Sequence, residues 1–132
     1  MPKTVRLNML LKDFYRVDTF TKLEDTKYEI AVELNKQHEV FKGHFPGNPV
    51  TPGVCMIQLI KESCERILSQ ALFMHQVNMI KFMALVNPEI NPNLRLEIDI
   101  HPLDESNVKV KNNIYMDQVL AMKFSGTFKI KN

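Results

Sequence analysis

The sequence predicts an α+β fold in which an antiparallel sheet wraps around one long central helix. Several segments alternate apolar and polar residues at the two-residue period of strands, and one segment, over about residues 52–70, has helical spacing instead. Because no second helix is predicted to cover that one, the sheet must curl around it. With 132 residues, 45% of them hydrophobic, the chain is predicted to form a single domain over residues 1–132.

The predicted strands follow one another along the chain. Residues 28–34 alternate, with Tyr28, Ile30, Val32 and Leu34 on one face, which indicates a half-buried strand. The same alternation returns over residues 94–101 and 120–130, with shorter versions over 5–9 and 108–115. Residues 77–86 form a more continuous apolar run, which favours a strand covered on both faces. Short polar connections between the later strands favour an antiparallel meander.

The helix is predicted from its start signals and its periodicity. Thr51 offers a capping hydroxyl, Pro52 suits the first helical position, and the next proline is Pro88. We expect the first half of the helix to be deeply buried, with one polar stripe along its side. The stripe consists of Gln58, Lys61, Glu62, Glu65, Arg66 and Ser69.

Composition and spacing disfavour several classes of function. Seventeen Lys and Arg against fifteen Asp and Glu are interspersed along the chain, apart from a Lys-rich last strand, so nucleic-acid binding is not expected. No apolar run is long enough for a membrane span, and no signal peptide is recognised. We therefore expect a cytoplasmic protein with no membrane association. Cys55 and Cys64 lie about 13 Å apart along the predicted helix and are expected to be free, buried thiols.

The remaining histidines are not expected to bind a metal. His38, His75 and His101 lack the spacing with cysteines or acids that metal sites use, so we interpret them as surface residues. We expect the protein to need neither a metal nor a cofactor.

The loop before the helix carries the strongest functional signal. Three of the four glycines and three of the seven prolines lie between Gly43 and Gly53, which predicts a stiff loop of special shape. His44 lies on this loop, just ahead of a helix whose first amides, those of Gly53 and Val54, have no partner within the helix. A candidate base and a candidate oxyanion site are thereby brought together.

The same residues resemble a known signature. GHFPGNPVTPGV, residues 43–54, resembles the GHFPGxPVxPGV motif of bacterial 3-hydroxyacyl-[acyl-carrier-protein] dehydratases of the hot-dog fold, and the similarity extends over about residues 28–131. The resemblance implies a homodimer that has a continuous sheet and two composite sites at its interface. Higher oligomers are compatible with it. It also implies a hydrophobic acyl tunnel, with substrate-binding residues Phe45, Pro52, Gly53 and Val54.

The resemblance assigns roles to individual residues. His44 matches the histidine that acts on the Cα proton, and Gly53 and Val54 match the helix start that polarises the thioester carbonyl. The family's helix carboxylate, contributed by the facing subunit, falls on Gln58, and its usual glutamine falls on Glu62, so the two groups are exchanged. Glutamine has no titratable proton, so either Glu62 supplies the proton or dehydration is weak or absent.

Gln58 and Glu62 each allow a second interpretation. Gln58 could simply begin the polar stripe, and Glu62 could form a solvated ion pair with Lys61 or Arg66. The catalytic candidates are therefore His44, Gln58 and Glu62.

Three functions are compatible with this pattern. The first is reversible dehydration of a (3R)-3-hydroxyacyl group on acyl carrier protein, or on a CoA thioester, in fatty acid or related lipid and polyene biosynthesis. The second is a hot-dog thioesterase, and the third is a non-catalytic acyl-binding or partner subunit that lacks the general acid. Exposed lysines such as Lys36, Lys42 or Lys81 are candidates to guide an acidic carrier protein.

Overall fold

The computed structural model describes residues 12–42 and 49–131. The described part contains six strands, one α-helix and the short 3-10 helix Glu39–Phe41. In chain order the longer elements are β1 (Tyr15–Lys22), β2 (Lys27–Leu34), α1 (Gly53–Leu68), β3 (Leu72–Phe82), β4 (Asn93–Pro102), β5 (Asn107–Met116) and β6 (Val119–Ile130).

The six strands form one sheet in the order β1-β2-β4-β5-β6-β3, with every neighbouring pair antiparallel. Strands β4, β5 and β6 follow one another directly, which confirms the predicted meander. Strand β3 leaves the helix and pairs with β6 at the edge of the sheet. The helix thus connects β2 to the opposite edge of the sheet.

The core lies between one face of the sheet and the helix. Alternate residues of β2, β4, β5 and β6 are buried, and they pack in one cluster with helix residues Cys55, Met56, Leu59, Ile60 and Cys64. This arrangement confirms the predicted α+β class and the hot-dog fold. The expectation of a deeply buried first helix half holds only in part, because the helix is buried continuously over residues 59–65, in its middle, while Val54 in the first turn is exposed. Both cysteines are free and buried, as predicted.

Strand β1 was not predicted, whereas the strands over 28–34, 94–101, 108–115 and 120–130 are confirmed. The pairing of β1 with β2 shifts register between Val17 and Thr19. Such a bulge breaks the two-residue period on which strand prediction depends. Its residues are also largely exposed. The strand predicted over residues 5–9 lies outside the described residues.

The strand predicted over residues 77–86 is confirmed over residues 77–82 as part of β3, but the prediction that it is covered on both faces is wrong for the described structure. Strand β3 begins at Leu72 and ends at Phe82, and most of its side chains are exposed. Met83 and Leu85 follow the strand and are also exposed. A continuous apolar run does not distinguish a strand buried within its own chain from an edge strand whose apolar surface is left uncovered.

The predicted helix start also needs correction. The helix spans Gly53–Leu68, and its N-cap residue is Pro52; among the described residues no side chain caps the helix start. The Thr51 hydroxyl instead donates a buried hydrogen bond of 2.9 Å to the carbonyl oxygen of Val86, and the Thr51 amide donates to the same oxygen at 2.8 Å. Thr51 therefore ties the loop before the helix to the segment after β3. No helix in the described residues is long and apolar enough to cross a membrane.

Candidate active site

An apolar cavity lies at the amino end of α1. Its volume is about 380 Å³, and it is lined by residues before the helix, by the first helical turn and by the end of β3 with the segment that follows. Pro52, Gly53 and Val54, three of the four predicted substrate-binding residues, line it. The fourth, Phe45, and the predicted base His44 lie outside the described residues, so their roles stay predictions.

Gly53 allows an aromatic ring to lie directly against the start of the helix. A Cβ atom at this position would lie 2.8 Å from Cζ of Phe82, closer than van der Waals contact allows. Phe82 is itself 56% exposed, whereas Phe41 and Phe124 are buried in the core. The ring of Phe82 forms one wall of the cavity.

The helix start also supplies unpaired donors. The amides of Cys55 and Met56 donate to the carbonyl oxygen of Pro52, while within the described residues the amides of Gly53 and Val54 have no acceptor. These two N–H groups lie at the positive end of the helix dipole. The arrangement can hold a partly negative oxygen, such as that of a thioester carbonyl, at the apolar cavity.

Gln58 and Glu62 lie on the same helix face as Val54, each one turn further along. The side-chain amide of Gln58 donates through Nε2 to Oε2 of Glu62 at 3.0 Å. The hydroxyl of Tyr15, the first residue of β1, donates to Oε1 of Glu62 at 2.7 Å. Glu62 therefore accepts a hydrogen bond on each of its two oxygens.

The interpretation of Glu62 as a solvated ion pair is wrong. Glu62 is only 6% exposed, and in the described structure neither Lys61 nor Arg66 lies within ion-pair distance of it. Lys61 is buried too and approaches Glu65, with 3.7 Å between Nζ and Oε2. The middle of the polar stripe is thus buried beside β1 and the start of β3, at Lys61, Glu62 and Glu65, whereas Arg66 and Ser69 are exposed.

Tyr15 is held in its protonated form. Burial raises the pKa of its hydroxyl, and the negative charge of Glu62 raises it further. The ring packs edge-on against the fully buried Phe14, with 6.3 Å between centroids. Tyr15 and Glu62 also line a second, polar cavity of about 350 Å³ with Lys12, Arg16 and Arg66.

Sequence reasoning missed Tyr15. It lies 47 residues from Glu62 and begins a strand that the alternation pattern did not reveal. The one sequence signal available was an aromatic residue with a polar tip beside a buried phenylalanine, which is too common to identify a site.

The other histidines have structural or surface positions. His38 is partly buried, so its interpretation as a surface residue is wrong: its Nδ1 accepts from the amide of Val40, and its Nε2 lies 2.9 Å from the carbonyl oxygen of Lys12. His75 and His101 are exposed, as predicted. The described residues contain no cluster of three or more His, Cys, Asp or Glu side chains suited to a metal ion.

Comparison with known families and proteins gives consistent matches. Residues 20–125 match the ApeI-like family model, described as ApeI dehydratase. The chain is 30% identical over 127 residues to the 3-hydroxyacyl-[acyl-carrier-protein] dehydratase FabZ of Alkaliphilus metalliredigens, covering 90% of this chain and 85% of that protein. The FabZ of Ligilactobacillus salivarius is 29% identical over 123 residues, with coverages of 88% and 79%.

Solved structures share the fold. The dehydratase heterocomplex ApeI:P from Xenorhabdus doucetiae matches with a TM-score of 0.65 at 23% identity, covering 89% of this chain and 97% of that chain. A hypothetical thioesterase with coenzyme A from Streptococcus pneumoniae matches with a TM-score of 0.68 at 10% identity, with coverages of 98% and 95%. Dehydratases and thioesterases thus share this architecture.

Proposed function

The chain belongs to the ApeI-like dehydratase family, and we propose that it converts a (3R)-3-hydroxyacyl thioester reversibly into the trans-2-enoyl thioester and water. The observation that carries the proposal is the apolar cavity at the start of α1, where Phe82 lies beside two amides that have no acceptor among the described residues. An acyl thioester needs both features, an apolar wall for the chain and donors for the carbonyl oxygen.

The carbonyl end of the substrate is bound by the helix start. The amides of Gly53 and Val54 donate to the thioester oxygen and stabilise the enolate-like charge that develops when the Cα proton leaves. The helix dipole adds to this stabilisation. Because these donors are backbone groups of a packed helix, they need little reorganisation during the reaction.

The proton steps are assigned to His44. Its imidazole removes the Cα proton, the electron pair of that C–H bond forms the Cα=Cβ double bond, and the Cβ–O bond breaks. The imidazolium then returns the proton to the departing oxygen, which leaves as water. We assign the proton to His44 because Gln58 has none to give and Glu62 has both oxygens engaged as acceptors.

Gln58 is assigned to the hydroxyl group of the substrate. Its Nε2 is engaged by Glu62, and among the described residues its Oε1 accepts no hydrogen bond. Oε1 of Gln58 accepts a hydrogen bond from the 3-hydroxyl group of the substrate. This hydrogen bond turns a lone pair of the hydroxyl oxygen toward His44. Following the family resemblance, Gln58 acts in the composite site of the facing subunit.

The test is hydration of a trans-2-enoyl thioester by the purified protein beside His44→Ala, Gln58→Glu and Glu62→Gln. We expect the wild type to turn over and His44→Ala to lose at least about a hundredfold in rate. If the wild type is inactive and Gln58→Glu alone is active, the native chain is an acyl-binding or partner subunit.

A thioesterase is the second candidate, because an amide oxygen such as Oε1 of Gln58 can also orient a water molecule. The shared fold of the hypothetical thioesterase from Streptococcus pneumoniae supports this candidate. Release of a free thiol from an acyl thioester, measured with a thiol reagent, distinguishes hydrolysis from dehydration. Thiol release without enoyl hydration would replace the first proposal by the second.

We also propose that the carrier of the acyl group is acyl carrier protein, with CoA as the alternative, and that the working unit is a homodimer. The exposed apolar edge at β3 supports dimerisation, since an uncovered edge strand can pair with a second copy. The solved ApeI:P structure is described as a dehydratase heterocomplex. The alternative to a homodimer is therefore a complex with a different partner subunit. Light scattering on the purified chain decides whether two copies associate.

A further inference from the structure

We propose that Tyr15 is a positioning residue that acts through Glu62 to set the direction of the Gln58 amide. This inference rests on the proposed function, in which Oε1 of Gln58 receives a hydroxyl group or a water molecule. The role belongs to the hydrogen bond between Tyr15 of β1 and Glu62 of α1, and neither residue is proposed to touch the substrate.

The first step concerns Glu62. The Tyr15 hydroxyl at 2.7 Å from Oε1 and the Gln58 amide at 3.0 Å from Oε2 hold the carboxylate from two sides. With 6% exposure, Glu62 has little water to replace either donor. Because each oxygen accepts from a fixed partner, rotation of the carboxylate would break both hydrogen bonds.

The second step concerns Gln58. An amide can present either its oxygen or its nitrogen, and the two are close to equal in shape. An ionised carboxylate can only accept, so it bonds to Nε2 and leaves Oε1 on the opposite side of the amide. Glu62 therefore selects one of the two amide orientations, the one that offers an acceptor to the substrate.

The third step concerns Tyr15. Its hydroxyl is a donor toward Glu62, and packing against Phe14 together with pairing to Leu34 in β2 fixes its place at the start of β1. Removal of the hydroxyl leaves Oε1 of Glu62 buried without that donor. The carboxylate is then free to turn, and the amide of Gln58 loses its single orientation.

The experiment compares Tyr15→Phe with Tyr28→Phe. Tyr28 is a half-buried tyrosine of β2 whose ring packs edge-on against Phe20, so it controls for the loss of one tyrosine hydroxyl. We expect Tyr15→Phe to lower kcat about tenfold with KM nearly unchanged, and Tyr28→Phe to leave both constants unchanged. A rise in KM at constant kcat, or equal effects of the two variants, would contradict the proposal.

The double variant Gln58→Glu/Glu62→Gln provides the second arm. It places the carboxylate where the family has it, so the orientation of an amide at residue 58 no longer matters. Adding Tyr15→Phe to this background is expected to change kcat less than about twofold, because the positioned group is gone. A tenfold loss in both backgrounds would mean that the Tyr15 hydroxyl only supports the fold.

A third readout does not depend on activity. The side-chain amide signal of Gln58 in a proton–nitrogen NMR spectrum, assigned by its absence in Gln58→Leu, reports the hydrogen bond to Glu62. Tyr15→Phe is expected to shift or broaden this signal, and Tyr28→Phe is not. An unchanged signal in Tyr15→Phe overturns this inference even in an active enzyme, whereas a shifted signal in a protein without turnover sustains the inference and rejects only the proposed function.

Discussion

At the residue scale, the exchange of Gln58 and Glu62 changes what the helix can do. A carboxylate at position 58 would carry a proton, whereas the amide found there can only orient one. Glu62 is one turn away and accepts hydrogen bonds from Tyr15 and Gln58, so in our proposal it orients the amide rather than supplying the proton. In the proposed mechanism, Gln58 and Glu62 act through the direction of their hydrogen bonds, and proton transfer is assigned to His44.

A second buried carboxylate on the same helix gives a prediction about pH. Glu65 accepts a 2.8 Å hydrogen bond from the amide of Leu72 and approaches Lys61. Burial raises its pKa from the ordinary value of 4.5, against the opposing effects of the Leu72 amide and Lys61. The folded state therefore holds this proton more tightly than the unfolded state, so the contribution of Glu65 to stability is present at low pH and is lost as pH rises above 4.5.

The measurement is the unfolding free energy of the wild type and Glu65→Gln in urea between about pH 4 and pH 7. The glutamine keeps an acceptor for Leu72, so we expect the wild type to lose stability relative to the variant as pH rises. Glu105→Gln, at an exposed position, is the matched control and should follow the wild type. Parallel curves for the wild type and Glu65→Gln would contradict the prediction.

At the element scale, two glycines decide how β3 joins the rest of the molecule. Gly53 admits the ring of Phe82 at the start of the helix, and Gly126 of β6 lies against the backbone of β3. A Cβ atom at Gly126 would lie 2.6 Å from the carbonyl oxygen of Gln76, where the pairing of β3 with β6 shifts register. A methyl group added at Gly53 would displace a side chain, whereas one added at Gly126 would displace the backbone of β3.

Gly126→Ala is expected to destabilise the protein by about 1–3 kcal/mol, because a paired backbone carbonyl cannot move away without disrupting the edge of the sheet. Urea unfolding measures the loss. Ser125→Ala, the preceding residue on the opposite face, should change stability by less than about 0.5 kcal/mol. Equal stability of the two variants would mean that β3 adjusts freely at this point.

Gly53→Ala is expected to act on binding more than on stability. The contact it creates is with the far end of the exposed Phe82 side chain, which can turn away at a cost of less than about 1 kcal/mol. The displaced ring then no longer forms its wall of the cavity that we assign to the acyl chain, so KM for long acyl thioesters should rise while the melting temperature stays close to that of the wild type. Adding Phe82→Ala should remove the effect of Gly53→Ala, and additive effects would contradict the proposed contact.

At the scale of the whole molecule, the sheet separates charges that are mixed along the chain. Strands β5, β6 and β3, which are neighbours at one side of the sheet, contain Lys81, Lys109, Lys111, Lys123 and Lys129 and no acidic residue. None of these lysines forms an ion pair with the described residues. The acidic strand residues lie on β1, β2 and β4, where Arg16 and Arg95 pair with several of them.

This separation leads to a prediction about the carrier of the acyl group. Lys81 and Lys123 lie opposite each other in the pairing of β3 with β6. Reversing both charges, Lys81→Glu/Lys123→Glu, is expected to lower kcat/KM for an acyl group on an acidic carrier protein about tenfold or more, with the effect weaker at high salt. Turnover of a short free thioester should be unchanged.

The control is Lys22→Glu/Lys27→Glu, which reverses two charges on the other side of the sheet, in β1 and β2. We expect little change with either substrate in this variant. A similar loss in both double variants would mean that net charge, rather than a docking surface, determines the rate.

The sequence by itself determined the α+β class, the helix, four of the six strands of the described sheet together with part of β3, and the cavity-lining residues at the helix start. Each of these depends on local signals: a two-residue or 3.6-residue period, or a dense motif of glycine, proline and histidine. The edge strand β1, the exposure of β3 and the partners of Glu62 were decided by the tertiary structure. A bulge removed the period of β1, an apolar run does not encode whether its own chain covers it, and the hydrogen bond from Tyr15 to Glu62 joins residues 47 positions apart. A period shows which face of an element is buried, but it does not show which distant element packs against that face.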